Sequence, residues 1–394
     1  MNYRKHKDLT LSEIGIGCYG LSGAYGQKDI ETYKTTLKRA YELGVNFYDT
    51  SDAYGDAEAV LGQVVRPFRD QVYIATKVGI KESAQPNLSG EYLHKACEQS
   101  LVNLGTEYID LYQLHFDDPQ TPVEDTIRSL ERLQDEGKIR HYGLGHLSSA
   151  RLLDYIQGGE IFSVLMEFSP LTRSVRKEIL PLCQEQDIAA IAFSVTGRGL
   201  LSGKIGAQVK FDPGDIRSMD PLFQGASFQS GLRIADKLGQ VGARYDKTPA
   251  QTAIAWVLTH PGVTCALTGP STPAHLEENV AGSGWDLEPD DLRELEECFQ
   301  SEEQWLEAER YAAIERILLQ ELNGDAKQAF TDLVYVIESA ISLGLITEED
   351  VMPTFYELFE LRDEPAPGSR RKLAEIQDQL RHIIPTDFDW SPDD

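Results

Sequence analysis

The sequence has few cysteines and no paired cysteine motif. Its five cysteines, Cys18, Cys97, Cys183, Cys265 and Cys298, are far apart and odd in number. This spacing argues against a disulfide framework and against a zinc cluster. We therefore expect reduced, mostly buried thiols and no metal site.

Basic residues and long apolar runs are also scarce. Lys and Arg number 37 against 64 Asp and Glu, which gives a formal net charge of −27. Such a charge repels phosphate backbones and anionic lipid surfaces, so we expect neither nucleic acid nor membrane as a partner. No apolar run is long enough to cross a bilayer. The charged start MNYRKHKDLT is followed by no apolar core, so neither a signal nor a transit peptide is indicated and the cytoplasm is the expected compartment.

The overall composition is that of a soluble globular protein. Of its 394 residues, 41% are hydrophobic and 26% are charged. The length suits one barrel of about 250 residues with an appendage, or two ordinary domains.

Short apolar runs alternate with amphipathic segments over residues 1–284. Helical periodicity is clear at Ile30, Tyr33, Leu37 and Ala40, for example, and similar patterns follow most of the apolar runs. The predicted strands are 11–17, 45–48, 72–77, 109–115, 139–145, 163–168, 188–194 and 263–269. About eight β/α units are the count of a TIM barrel, so the predicted fold class is α/β with a (β/α)8 barrel.

One motif favours a competing architecture, the doubly wound dinucleotide-binding sheet. Gly15, Gly17 and Gly20 spell GxGxxG. That fingerprint requires a helix to open at the glycines, yet helical periodicity begins only near Ile30. We interpret these glycines as turn residues at a strand end, with at most a contact to a cofactor.

Residues 285–394 have a different pattern. Strand signals vanish, acidic residues outnumber basic ones, and apolar stripes predict four helices before a polar tail from Pro385. The predicted second domain is therefore an acidic, all-helical C-terminal extension. Packing on the barrel for stability is one role for it, while a lid, self-association or contact with a protein partner are alternatives that the sequence leaves open.

Polar residues stand where several predicted strands end. They are Asp49 with Tyr54, Lys77, and His115, and the barrel geometry brings such strand ends together. A nearby ammonium stabilises a phenolate and lowers the pKa of a tyrosine from its ordinary value near 10. Lys77 can supply that ammonium, Asp49 can orient it, and His115 can hydrogen-bond a substrate oxygen. Each residue alone also suits a structural role, but their joint occurrence favours proton transfer to an oxygen as hydride reaches carbon.

At this point the chain resembles the aldo-keto reductase family. The resemblance runs from about Leu9 to Gly282 and is carried by the motifs FYDTSDAYG, IATKVG, IDLYQLH, GRGLLSGK and LEEN. It implies the same barrel, an NAD or NADP cofactor, and a small carbonyl substrate. It also implies a catalytic tetrad of Asp49, Tyr54, Lys77 and His115, with Tyr54 as the general acid.

The resemblance further implies a set of cofactor contacts. Phe193 stands where the family commonly has the tyrosine that stacks on the nicotinamide. Ser194 and the run Leu200, Leu201, Ser202, Gly203 and Lys204 match the loop that passes over the pyrophosphate, and Glu278 and Asn279 match the adenine contacts.

Several cofactor positions depart from the family pattern. Gly145 and His146 replace the usual Ser-Asn pair that binds the carboxamide, and Leu165 replaces the usual Gln. At the adenosine end, Gly269, Ser271 and His275 stand where basic residues commonly hold a 2′-phosphate. Without an arginine fork for that phosphate, we expect relaxed or NAD-leaning selectivity.

These expectations lead to a function with one alternative. The predicted protein is an NAD(P)H-dependent oxidoreductase that reduces an aldehyde or ketone, with Tyr54 as the proton donor. The alternative is a catalytically weak, nucleotide-binding regulatory or scaffold protein that acts through its helical extension; the altered carboxamide contacts favour it and the complete tetrad opposes it.

Overall fold

The computed structural model describes residues 1–80, 86–322, 325–359, 361 and 368–386. The chain divides into two compact units. The barrel unit comprises Met1–Asp215 and Ile234–Leu295, and the helical unit comprises Ile216–Arg233 and Glu296–Asp394. Neither unit is one continuous stretch of the chain, and the division into domains 1–284 and 285–394 stays a prediction.

The barrel unit contains a closed parallel barrel, as the sequence predicted. An antiparallel hairpin of β1 (Tyr3–His6) and β2 (Leu9–Ser12) precedes it. The eight barrel strands are β3 (Ile14–Gly17), β4 (Phe47–Asp49), β5 (Tyr73–Val78), β6 (Ile109–Leu114), β7 (Ile139–Gly145), β8 (Ser163–Glu167), β9 (Ala189–Phe193) and β10 (Val263–Thr268). They follow one another around the barrel in chain order, and β10 closes it by pairing with β3. The doubly wound alternative is therefore wrong.

The barrel helices follow their strands with ordinary local signals. Thr248, for example, caps the helix that begins at Pro249, through a capping box in which Gln251 is the reciprocal partner. The helices are α1 (Ile30–Glu42), α2 (Ala57–Val65), α3 (Gly90–Leu104), α4 (Val123–Asp135), α5 (Ser149–Gly158), α6 (Ile179–Glu185), α7 (Gly225–Gly242), α8 (Pro249–Leu258) and α9 (Pro273–Val280). The first part of α7, residues 225–233, belongs to the helical unit.

Gly15 and Gly20 of the GxGxxG motif have packing roles. Gly15 and Gly17 lie in β3, and Gly20 lies in a 3₁₀ turn, Tyr19–Ser22. A Cβ atom at Gly15 would stand 2.6 Å from a side-chain carbon of Leu267. No side chain fits there, which explains the glycine without any dinucleotide fingerprint.

Alternation along the strands determines which residues face the barrel interior. Phe47, Ala75 and Leu111 belong to one buried apolar cluster with residues of the other strands. Because side chains alternate with a period of two, Asp49 and Lys77 lie on the same side of their strands as Phe47 and Ala75. The apolar interior thus ends in charged residues at the carboxyl ends of β4 and β5.

The helical unit has its own apolar core. Buried residues of this core include Ile314, Leu333, Val351 and Ile376, all at most 1% exposed. The final helices are α10 (Pro289–Leu319), α11 (Ala326–Ser342), α12 (Glu348–Phe359) and α13 (Ser369–Ile383). The predicted all-helical extension is confirmed, whereas the polar tail from residue 387 onward lies outside the described residues. Within the part of the chain that is described, no helix has the length and apolar character to span a membrane.

Candidate active site

A buried ion pair forms the base of the site at the ends of β4 and β5. The ammonium of Lys77 donates to Asp49 Oδ1 at 2.5 Å and to the carbonyl oxygen of Thr50 at 2.8 Å. The side chain of Lys77 is 2% exposed and that of Asp49 is 6% exposed. Burial lowers the pKa of Lys77, but Asp49 and then Tyr54 raise it by more, so the amine is charged at neutral pH.

Tyr54 lies in the loop between β4 and α2, above this ion pair. Its backbone N–H donates to the carbonyl of Ser51 at 3.2 Å, and Gly55 allows the following turn with a φ of +60°. Lys77 Nζ is 5.1 Å from the centroid of the Tyr54 ring. Burial raises the pKa of Tyr54, and the ammonium of Lys77 opposes this only in part. The expected lowering by Lys77 thus operates, but the net shift is upward and the phenol stays protonated at neutral pH.

His115 completes the predicted tetrad directly after β6. Its ring centroid is 5.7 Å from that of Tyr54. Burial, then the charge of Lys77 and the ring of His146, lower the pKa of His115 to about 2. The imidazole is therefore neutral, and its Nδ1 lies 3.2 Å from Ser51 Oγ. The structure brings all four predicted catalytic residues together, while their roles stay proposals.

Aromatic rings pack beside Tyr54 and His115, and Tyr19 is one that the sequence did not single out. Tyr19 contacts Tyr54 edge to face at 5.1 Å between ring centroids. Phe116 is 39% exposed and its ring stacks against those of both His115 and His146, with 4.8 Å between ring centroids in each case, while the two imidazoles lie 5.8 Å apart. Phe116 directly follows His115, and its stacking on both imidazoles makes it part of the site.

The residues expected at the carboxamide lie on neighbouring strands. Gly145 at the end of β7 is the register partner of Leu165 on β8. Leu165 is 4% exposed and belongs to the apolar interior cluster, so it offers no hydrogen bond. His146 has a φ of +47°, a left-handed conformation that histidine adopts more readily than most residues, and its ring lies 5.2 Å from that of Phe193. Burial lowers the pKa of His146 to about 4, so this ring is neutral too.

The loop after β9 is held by its two leucines. Leu200 and Leu201 are fully buried, and Ser202 Oγ donates to the carbonyl of Gly199 at 2.6 Å. Left-handed backbone recurs at Ser194, Gly197, Arg198, Gly199 and Gly203. Arg198, which the sequence did not single out, pairs with Glu167 at 3.2 Å between nitrogen and oxygen. Beside these buried leucines, Gly203 and Lys204 are exposed and Ser202 is half-buried.

The predicted adenosine end lies after β10 and in α9. Gly269 follows the strand, and Ser271 Oγ lies 3.4 Å from Nδ1 of His275 in the first turn of α9. Lys204 hydrogen-bonds Glu278, so the two predicted contact segments meet at this pair. Asn279 lies beside Glu278 near the end of the same helix.

Several buried polar atoms in the barrel interior lack partners. Among the described residues, Asp49 Oδ2, both amide atoms of Gln113 and Ser163 Oγ have no hydrogen-bond partner. Gln113 and Ser163 flank Gly143 in the strand register. The described part of the chain contains no group of three or more His, Cys, Asp or Glu residues that could hold a metal ion.

Comparison with known proteins gives consistent matches. Residues 13–300 match the model of the aldo/keto reductase family. The chain is 33% identical over 298 residues to probable aldo-keto reductase 1 of Glycine max, covering 74% of this chain and 86% of that protein. It is 30% identical over 296 residues to aldo-keto reductase YhdN of Bacillus subtilis (strain 168), covering 73% and 89%.

Solved structures resemble the chain over the same region. A glycerol dehydrogenase of Gluconobacter oxydans superposes with a TM-score of 0.71 at 25% identity, covering 76% of this chain and 95% of that one. An aldo/keto reductase of Klebsiella pneumoniae, solved with NADP and acetate, superposes with a TM-score of 0.59 at 25% identity, covering 74% and 93%.

Proposed function

Because the chain belongs to the aldo/keto reductase family and is therefore an oxidoreductase, we propose that it reduces an aldehyde or ketone to an alcohol, with a nicotinamide nucleotide as hydride source and Tyr54 as proton donor. The observation that carries this proposal is the buried Lys77 ammonium, held by Asp49 beneath the Tyr54 ring. A neutral His115 ring stands at the side of the same phenol.

The residues around the tetrad fit a nicotinamide nucleotide. Gly17 and Gly145 end β3 and β7 without side chains, and Gly269 follows β10, so these strand ends leave room for a flat ring. Phe193 at the end of β9 offers a phenyl face for stacking. The loop with Ser202, Gly203 and Lys204 suits the pyrophosphate, because glycine lets a ligand approach the backbone closely. When bound, a reduced nicotinamide nucleotide supplies a hydride to the carbonyl carbon.

Tyr54 handles the proton that this reduction consumes. As negative charge develops on the carbonyl oxygen, the Tyr54 hydroxyl donates a hydrogen bond and then its proton to that oxygen. The phenolate left behind is stabilised by the Lys77 ammonium, and Asp49 keeps that ammonium charged and in place. General acid catalysis of this kind contributes roughly 10²- to 10⁴-fold in rate.

His115 has a different role, because it is neutral. Because its pKa is lowered to about 2, the ring is not protonated to an imidazolium at neutral pH and cannot act as the general acid. It can instead donate one N–H hydrogen bond to the carbonyl oxygen and orient the substrate. His115 is thus a hydrogen-bond donor, and Tyr54 is the acid.

The cofactor contacts of this chain are proposed to be rebuilt relative to the family. Leu165 is apolar and buried, which removes one side-chain contact to the carboxamide. The neutral ring of His146, next to Phe193, is the polar group that remains in this region. At the adenosine end, His275 and Ser271 offer no arginine fork for a 2′-phosphate, so we propose relaxed or NAD-leaning selectivity.

The test is Tyr54→Phe, with Tyr41→Phe as the matched control. Tyr41 lies on α1, which carries no tetrad residue, and its hydroxyl donates to Gln71 at 2.7 Å. We expect Tyr54→Phe to lower NADPH or NADH oxidation with a panel of small aldehydes by at least about 100-fold, the lower bound for loss of a general acid. Nucleotide binding, measured by fluorescence titration, should persist, and the control should keep its activity. Retained turnover in Tyr54→Phe would overturn the proposal.

One alternative is a nucleotide-binding regulatory or scaffold protein with weak catalysis. Buried Leu165 favours it, because this side chain cannot hydrogen-bond the carboxamide. The same assays discriminate the two functions. Demonstrable nucleotide binding by the unaltered protein, without turnover of any aldehyde in the panel, would favour this alternative.

A further inference from the structure

A hydrogen-bonded chain links the tetrad to a carboxyl group that the sequence suggested was an ordinary loop residue. Ser51 Oγ lies 3.2 Å from Asp52 Oδ1 and 3.2 Å from His115 Nδ1. The same oxygen accepts from the backbone N–H of Ala53 at 3.1 Å. Asp52 is held in turn by its own N–H, which donates to the carbonyl of Lys77 at 3.3 Å. The carboxyl of Asp52 therefore reaches His115 through one hydroxyl.

We propose that Asp52 is a positioning residue, which acts through Ser51 to determine which ring nitrogen of His115 carries the hydrogen. This inference rests on the proposed function, because the hydrogen matters for a donor to the carbonyl oxygen. A neutral imidazole bears one hydrogen, on Nδ1 or on Nε2. Nδ1 faces Ser51, so only the Nε2–H form has a hydrogen left for the substrate.

The single hydrogen of Ser51 couples the two groups. When Asp52 is protonated, it donates to Ser51 Oγ, and the Ser51 hydroxyl then donates to His115 Nδ1, which places the ring hydrogen on Nε2. When Asp52 is ionised, Ser51 donates to the carboxylate and accepts from Nδ1–H, which leaves Nε2 without a hydrogen. In both states Ser51 accepts two hydrogen bonds, one of them from Ala53 N–H, and donates one.

The groups around Asp52 place its change of protonation near neutral pH. Burial, followed by the nearby carboxylate of Glu58 on α2, raises the pKa of Asp52 to about 7. Ser51, the Ala53 N–H and Lys77 on β5 oppose that shift, and the buried phenol of Tyr112 on β6 also faces the carboxyl. Lys77 and His146 face His115. Because the pKa is raised, Asp52 stays protonated up to about pH 7, and the competent Nε2–H form is lost as the pH rises through that value.

The first test is the pH dependence of kcat for carbonyl reduction. We expect the unaltered protein to lose roughly two- to tenfold in kcat around pH 7, the contribution of one hydrogen bond. Asp52→Asn and Ser51→Ala should each abolish this step, since the amide does not titrate and alanine breaks the chain. Asp56→Asn, the same substitution at an exposed position of the same loop, should keep it. A step of normal size in Asp52→Asn would overturn the proposal.

The second test reads the tautomer without using activity. Imidazole ¹⁵N resonances of the unaltered protein, with His115 assigned through His115→Asn, should report hydrogen on Nε2 at pH 6 and on Nδ1 at pH 8. Asp52→Asn should show no such change. If that variant fails to fold, the tautomer of His115 is compared between the unaltered protein and Ser51→Ala. A tautomer that is constant across pH 7 in the unaltered protein overturns the proposal. A tautomer that changes in a protein without carbonyl reduction supports it and overturns the proposed function alone.

Discussion

Replacing Asp49 by asparagine should destabilise the barrel unit strongly. The substitution nearly preserves side-chain volume, but it removes the carboxylate that lies 2.5 Å from the Lys77 ammonium. Neither side chain of the pair is more than 6% exposed, so water cannot replace the lost partner. What remains is a buried ammonium in contact with the Thr50 carbonyl and the Tyr54 hydroxyl, neither of which carries a compensating charge while the phenol is protonated.

The size of the effect follows from the geometry of the pair. At an effective dielectric constant of about 20, opposite unit charges 2.5 Å apart attract by roughly 6 to 7 kcal/mol. Burying the two ions costs several kcal/mol each, so the intact pair adds little net stability. Removal of one partner, however, leaves an uncompensated buried charge, which costs about 3 to 5 kcal/mol. Lys77 can relieve part of that penalty by losing its proton, because burial favours the neutral amine.

Urea-induced unfolding at pH 7, followed by tryptophan fluorescence, measures this penalty. Trp256, one of four tryptophans, is fully buried in the barrel unit and contributes to that signal. Asp125→Asn is the matched control, since Asp125 pairs with Arg128 at 2.8 Å but is 52% exposed, and it should change the free energy of unfolding by less than about 1 kcal/mol. The double substitution of Asp49→Asn with Lys77→Met should recover most of the loss. The reasoning is refuted if Asp49→Asn stays within about 1 kcal/mol of the unaltered protein, or if the double variant is less stable than the single one.

Three further predictions concern the cofactor contacts and the helical unit. His275→Arg places a guanidinium in the first turn of α9 and should lower the NADPH dissociation constant relative to that of NADH by about 10- to 100-fold in fluorescence titrations; an unchanged ratio would contradict the assignment of this position. Leu165→Gln should tighten binding of either reduced nucleotide by about two- to tenfold, through an added amide, while weaker binding would show that the carboxamide lies elsewhere. Leu333→Ala removes a fully buried side chain of α11 and should lower the free energy of unfolding of the helical unit by about 2 to 5 kcal/mol in urea denaturation; a loss below about 1 kcal/mol would mean that this core is not tightly packed.

Much of the site could be predicted because the relevant patterns are local. A period of two along a strand places Asp49 on the side of Phe47 and Lys77 on the side of Ala75, and parallel strands in a barrel end on one face. The acidic helical segment could also be predicted, because its apolar residues repeat with helical spacing.

Other features needed contacts between distant parts of the chain. Asp52 looked like a loop residue, because neither its burial nor its coupling to His115 through Ser51 is visible in the loop itself. The pKa of Tyr54 moved opposite to the expected lowering, since burial by the surrounding elements outweighs the nearby ammonium. Residues 216–233 belong to the helical unit, although they precede two barrel helices and the last barrel strand in sequence.

By itself the sequence determined the (β/α)8 barrel, the helical segment and the four polar residues at the strand ends, because periodicity and strand-end position are properties of short stretches. Tertiary structure alone decided which of these groups are charged and what they contact. Desolvation and hydrogen-bond partners come from residues far apart in the chain, such as Glu58, Lys77 and His115 around the Ser51–Asp52 turn. The chemistry of Tyr54 and His115 is therefore a product of the packing around them, and the motif NFYDTSDAYG specifies only where it takes place.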